Sequence, residues 1–198
     1  MILEVFAEPI YKGEMVFSER ELSYFRTVRQ RGDYKNTYGN YTSNDSFVLE
    51  NEELVDVKAR VHQHLDYYLK NIIGAANVSL QVTQSWLNFN DYNSSHHTHI
   101  HVNSIVSGVI YTTPDPASLV VFRKQDYFPL RPMITIMTEY NNPMKVIPVK
   151  QGDIVLFSSQ LPHGVQANQT NKTRTSLAFN TFYKGTLGSE KNLTYLEL

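Results

Sequence analysis

Cysteine is absent from the 198 residues, and that absence alone excludes disulfide frameworks, thiolate metal sites and a thiol nucleophile. An excess of charge of one sign is missing too. Eighteen basic residues face nineteen acidic ones, for a formal charge of -1, and no Lys/Arg block occurs. There is thus no electrostatic case for a dedicated nucleic-acid or anionic-membrane binder, although nucleic acid stays open as a substrate. No apolar run approaches the ~18 residues of a membrane span. The opening Met1-Ile2-Leu3-Glu4-Val5-Phe6-Ala7-Glu8-Pro9 carries acid where a secretory signal wants bases. A cytoplasmic, non-membrane protein is the expectation. What is present is 41% hydrophobic content against 19% charged residues, a balance that predicts one packed domain over 1–198.

The first third, about residues 1–76, reads as helical support. Ser18-Glu19-Arg20-Glu21 has capping-box spacing, with Phe17 and Leu22 placed as a hydrophobic staple, so a helix is expected over about 19–28. Leu54, Val57, Val61, Leu65, Tyr68 and Ile72 step by three or four residues up to Gly74, the pattern of a longer helix lying on a sheet. Residues 31–46 are rich in Gly, Asn, Tyr and Asp without any period, the composition of a surface loop. From about 77 to 198 the chain becomes short β-rich runs between turn residues. Strands are expected near 78–86, 97–101, 105–113, 118–123, 133–138, 145–148, 153–158, 164–167 and 174–183. Helices packed against an all-β sandwich or barrel is the economical architecture.

Histidine is spent unevenly. Four of seven fall in His96-His97-Thr98-His99-Ile100-His101, and a fifth, His163, follows the strand-like Gly152-Asp153-Ile154-Val155-Leu156-Phe157. On a strand, His97, His99 and His101 point one way, with Ile100 and Val102 turned into packing on the other side. Two imidazoles at i and i+2 converge on one cation and need a third ligand from a distant segment, for which His163 is the obvious source. The pair is either His99 with His101 or, one register away, His97 with His99. His62, His64 and His96 read as structural or exposed. Arg174, Ser176, Ala178 and Asn180 share one face of the last long strand. An inward Arg with a Ser two residues on suits a dicarboxylate, because guanidinium pairs bidentately with carboxylate and the hydroxyl adds a donor.

In this order and spacing, Trp86-Leu87-Asn88, His99-Ile100-His101-Val102-Asn103-Ser104, Ser107-Gly108-Val109-Ile110-Tyr111, the 152–163 stretch, Arg174-Thr175-Ser176 and Phe179-Asn180 resemble the 2-oxoglutarate/Fe(II)-dependent oxygenases. The resemblance is to the small bacterial and cyanophage-type members and covers roughly 80–190. It implies a mainly β (α+β) fold, a double-stranded β-helix or jelly-roll barrel with N-terminal helices on one sheet. It implies Fe(II) on His99, His101 and His163, and 2-oxoglutarate with its far carboxylate on Arg174, helped by Ser176 and Tyr111. It implies dioxygen as co-reactant, release of succinate and CO2, and hydroxylation of a peptide, nucleotide or small metabolite. Trp86, Asn88, Asn180 and the loop near 34–41 become candidates for lining the mouth. The location becomes the host cytoplasm if the protein is phage-encoded. In one place the sequence departs from the superfamily, whose pattern is His-x-Asp/Glu followed by a distant His. Here His101 stands at the carboxylate position, so that either three imidazoles or two with a water complete the triad.

Two other readings use the same barrel. A cupin-type metalloenzyme also has His-x-His and a later His but adds a Glu soon after the pair, and residues 103–109 contain no acid. It would also leave Arg174 without a role. A non-catalytic β-sandwich module for binding or virion assembly would place the long helix and the Tyr-rich loop at an interface. Oligomeric state is not legible from the sequence.

Overall fold

The computed structural model describes residues 7–37, 39–115, 117–124, 130 and 132–198. Ser18 caps the helix α1 (Glu19–Gln30) as its sequence demands. Its hydroxyl accepts from the Glu21 amide while the Glu21 carboxylate takes the Ser18 amide, so two donors at the helix start are satisfied reciprocally. α2 (Val55–Tyr68) carries Val57, Val61 and Leu65, all fully buried, on one stripe. It widens into a π turn over Leu69–Ile73 and ends at Gly74, whose φ of 76° is left-handed and costs a glycine nothing.

Two antiparallel sheets make up the rest. The larger contains, in spatial order, β1 (Ile10–Glu14), β9 (Asp153–Ser158), β6 (Val106–Tyr111), β11 (Arg174–Leu187), β4 (Val78–Asn90), β3 (Asn40–Ser43) and β2 (Tyr34–Thr37). The short β12 (Leu196–Glu197) pairs with the far end of β11. The smaller sheet runs β5 (His96–His99), β10 (His163–Val165), β7 (Ala117–Phe122), β8 (Met144–Val149).

Strand alternation sorts the large sheet into two faces. Leu87 and Phe89 of β4, Ile110 of β6, Ile154 and Leu156 of β9, and Leu177 and Phe179 of β11 join one cluster with the helix residues Phe25, Val57, Val61 and Leu65. Their neighbours Tyr111, Val155 and Phe157 turn the other way and pack against Leu119, Val121 and Val149 of the small sheet. The two sheets therefore face one another as a double-stranded β-helix with the helices backing the larger sheet. The space left between them is where the site lies.

Three expectations are corrected. The stretch 31–46 is not a plain loop: Tyr34–Thr37 and Asn40–Ser43 form a hairpin whose inner strand pairs with β4 at Phe89 and Asn88. Long-range pairing recruits it against its local composition, and with β1 it makes the N-terminal third part of the sheet as well as its support. Residues 133–138 form no strand. Met133, Ile136 and Met137 are 88%, 73% and 59% exposed, because among the described residues no strand pairs with them. Finally, β5 stops at His99, so alternation does not continue to residue 102, and Ile100 and Val102 face solvent at 43% and 71% exposure.

Candidate metal centre

β5 and β10 are adjacent strands, and their register sets His99 opposite His163. Beyond β5 the chain turns through Asn103, whose φ of 56° is left-handed. The His101 amide donates to the Ser159 carbonyl at 2.9 Å, and the Gln160 side-chain amide donates to the His101 carbonyl at 3.1 Å. These two bonds tie the His101 backbone to the segment that leads into β10. The donor nitrogens of His99, His101 and His163 consequently lie within 4.8 Å of one another. His101 Nε2 and His163 Nε2 are 3.2 Å apart. Two nitrogens each about 2.1 Å from a common ion sit about 3.0–3.4 Å apart in octahedral or tetrahedral arrangement, so this pair already has ligand spacing.

Carbonyl oxygens fix two of the three tautomers. His163 Nδ1 is 2.8 Å from the Leu161 carbonyl, and His99 Nδ1 is 2.8 Å from the His97 carbonyl. A carbonyl only accepts, so each Nδ1 carries the proton and each Nε2 keeps its lone pair free for an ion. Burial favours the neutral form. It pushes His101 down to about 3, helped by the neighbouring imidazoles His163, His99 and His96. Burial takes His163 to about 4, against the opposing effect of its Leu161 bond, and lowers His99 as well. Neutral imidazoles are the metal-binding form. Trp86 covers His101, ring planes 26° apart and centroids 5.8 Å.

A pocket opens beside these rings. From β4 come Trp86, Asn88 and Asn90; from β6, Ser107 and Val109; from β11, Ser176 and Ala178. Each set is spaced by two, because these are the inward faces of their strands. Arg174 continues the row on β11, opposite Asn90, and is 7% exposed. One guanidinium nitrogen donates to the Gln166 carbonyl at 2.8 Å. Among the described residues no carboxylate pairs with it. Tyr111 of β6, the register partner of Ser176, is 4% exposed, and its hydroxyl is buried without a hydrogen-bond partner. Burial raises the Tyr111 pKa and lowers that of Arg174, while the nearness of the two opposes both changes.

Of the sequence-predicted residues, His99, His101 and His163 come together, and Trp86, Asn88 and Ser176 reach the same pocket. The His99/His101 register is the one that closes with His163. Asn180 lies apart from the pocket wall: its side-chain oxygen accepts from Ser107 at 2.9 Å, at a bulge in β11 between Asn180 and Thr181. Tyr34 and Tyr41 of the expected loop stack beneath Arg29 rather than at the mouth, and Tyr38 lies outside the described residues. The sequence reading missed Asn90 and His96, both on the pocket wall. Extending the β4 alternation two residues past Asn88 finds Asn90. His96 gives no signal separating it from an exposed histidine.

Residues 84–180 match the family model described as "Putative 2OG-Fe(II) oxygenase". This stretch belongs to that oxygenase family. Solved structures agree in fold. HygX from Streptomyces hygroscopicus, determined with nickel, 2-oxoglutarate and hygromycin B, is 13% identical with a TM-score of 0.59, over 88% of this chain and 82% of that one. A 2OG-Fe(II) oxygenase family oxidoreductase from Burkholderia pseudomallei is 16% identical, TM-score 0.56, over 83% and 79%. SnoN, an α-ketoglutarate-dependent epimerase of nogalamycin biosynthesis, is 11% identical, TM-score 0.60, over 88% and 78%. No curated protein matches the sequence. Nothing in these likenesses supports a phage origin, and no helix among the described residues is long and apolar enough to cross a membrane.

2OG-Fe(II) oxygenases typically use Fe(II) and 2-oxoglutarate, and this chain's donors fit both. Three neutral imidazoles, two of them with Nε2 cleared by a carbonyl at Nδ1, suit a first-row divalent metal. A buried guanidinium without a carboxylate, next to a buried hydroxyl without a partner, suits an anion, since leaving such groups unpaired costs several kcal/mol for the charge and about 1–3 for the hydroxyl.

Proposed function

We propose that this oxygenase hydroxylates a substrate at the expense of 2-oxoglutarate and dioxygen, releasing succinate and CO2. Fe(II) is held by His99, His101 and His163, and the far carboxylate of 2-oxoglutarate by Arg174, with Ser176 and Tyr111 as hydroxyl donors. The observation that carries the reading is the presence, in one barrel interior, of an imidazole triad, a buried Arg174 that among the described residues has no carboxylate partner, and the unpartnered Tyr111 hydroxyl beside it. When bound, the metal and the 2-oxo acid together supply activation of dioxygen and the oxidising power for C–H cleavage.

The chain's own residues bind, orient and exclude water. The carbonyls of His97 and Leu161 hold the protons on Nδ1 of His99 and His163, so both rings present the same nitrogen inward. Val109, Ala178 and Phe157 give the pocket apolar walls that keep bulk water from the centre. Asn88, which accepts from Asn40 at 3.3 Å through its side-chain oxygen, leaves its amide nitrogen as a donor on the pocket side. Trp86 stacks on His101 and limits the ring's rotation. The substrate is a peptide, nucleotide or small metabolite, handled in the cytoplasm.

The reading is tested by turnover. Purified protein with Fe(II) and 2-oxoglutarate in air should release succinate, slowly without substrate and faster with it, and neither anaerobic samples nor His163→Ala should do so. Iron-loaded, folded protein that never consumes 2-oxoglutarate would overturn it. HygX and SnoN share the fold, and SnoN is an epimerase, so the product rather than succinate release distinguishes hydroxylation from another oxidative outcome.

A further inference from the structure

Only part of the histidine run is absorbed by the inner triad. His96 and His97 are left over, and with His99 they form a second group whose donor nitrogens all lie within 4.8 Å of one another. The three rings are in mutual contact, with centroids 4.4 Å apart for His96–His99, 5.2 Å for His96–His97 and 5.1 Å for His97–His99. His96 is half-buried on the pocket wall, and among the described residues its ring nitrogens have no hydrogen-bond partner. His97 is exposed. The neighbouring strand is built to accept this segment. Gly164 of β10 runs so close that a Cβ there would stand 2.9 Å from the His96 carbonyl oxygen and 3.3 Å from that of His97. Only a residue without a side chain lets the His96–His97 backbone settle there.

We propose that His96, His97 and His99 form a second, outer site for a borderline divalent cation such as Zn²⁺, and that it competes with the inner triad through the shared His99. Imidazole selects Zn²⁺, Cu²⁺ or Ni²⁺ over Mg²⁺ and Ca²⁺, and three imidazoles with one water complete a tetrahedron. A neutral imidazole has one lone pair, and His99 Nδ1 is committed to the His97 carbonyl. His99 therefore completes one triad at a time, and an ion held at the surface draws it away from the inner centre. The exposed His97 makes the outer site the first that an ion from solution meets.

The test uses Zn²⁺ alone, on the full chain and without 2-oxoglutarate, so its failure leaves the oxygenase reading standing. His101→Ala/His163→Ala removes two inner donors and none of the outer ones. It should bind one equivalent of Zn²⁺ in competition with a chromophoric chelator, and the His96 and His97 ring resonances should move on binding. Adding His97→Ala should weaken that binding by about tenfold or more, the least expected for a lost ligand given what lost outer-shell partners do. If the double variant does not fold by circular dichroism, His101→Gln, which leaves His163 and its Leu161 bond in place, takes its part. Zn²⁺ binding indifferent to His97, or ring signals of His96 and His97 that stay still, would overturn the site. Two independent tight equivalents in the unaltered chain would overturn the competition.

Discussion

His101 and His163, 62 residues apart in the chain, face each other Nε2 to Nε2 at 3.2 Å with their rings 5° from parallel. Two neutral imidazoles in this attitude share at most one proton, and an ion between them replaces it. The same two rings, with His99, set what the following variants should do.

His101 occupies the position at which the wider superfamily has a carboxylate. His101→Asp restores a negative ligand, and the ion is then held by two imidazoles and a charge. Fe(II) retention, measured by competition with a chelator, should rise by about tenfold or more, on the scale of changes around metal ligands. Equal or weaker retention would show that the all-imidazole set is not the weaker one here.

Tyr111→Phe removes a hydroxyl that is buried and unpartnered. A group of this kind costs stability when nothing bonds to it. The variant should melt at the same temperature as the parent or slightly above it, and bind 2-oxoglutarate less tightly. A marked loss of thermal stability would mean that the hydroxyl has a structural partner.

Burial takes His96 and His101 to about 3 and His163 to about 4, each far below the ordinary histidine value. Below pH ~6.5 the unfolded chain binds protons that the folded chain refuses. Metal-free protein should therefore lose stability steadily as pH falls from about 6.5 towards 4, with no dependence on these groups above about 7.5. Melting curves across this range check the sign, and replacing His96 or His101 by Gln should flatten the slope.

Gly108 lies on β6 with its α-carbon against the ring of Phe179, and any Cβ would overlap that fully buried ring. Gly108→Ala should destabilise the fold by about 1–3 kcal/mol, read as a lower denaturation midpoint, because Phe179 is held between the sheet and the helices with no room to turn. Gly108 also borders the pocket, so the strain should show in 2-oxoglutarate affinity too.

Features written in neighbouring residues were legible in the sequence. The Ser18–Glu21 box, the α2 stripe and the alternation that sends Leu177 and Phe179 one way and Ser176 and Ala178 the other depend on local spacing. The triad was legible because an i, i+2 histidine pair and one isolated histidine leave few combinations, and geometry then selected His99 over His97 as the first member. What could not be read depends on pairing at long range. The β2–β3 hairpin has loop composition and becomes strand only because β4 offers it a free edge, whereas residues 133–138 have strand composition and, among the described residues, no strand that pairs with them. Asn180 meets Ser107 because β6 pairs with β11 in a register that sets the two opposite each other, which the residues themselves do not announce. That the Tyr111 hydroxyl has no partner and that no described carboxylate meets Arg174 are properties of what surrounds them, which a one-dimensional pattern does not contain.

The most direct measurement adds Fe(II) and then 2-oxoglutarate to the protein without oxygen and records visible absorption. The account predicts a metal-to-ligand charge-transfer band from the chelated 2-oxo acid, lost in Arg174→Ala at the same 2-oxoglutarate concentration although iron remains bound. A folded, iron-loaded protein with no such band, or a band indifferent to Arg174, would contradict it.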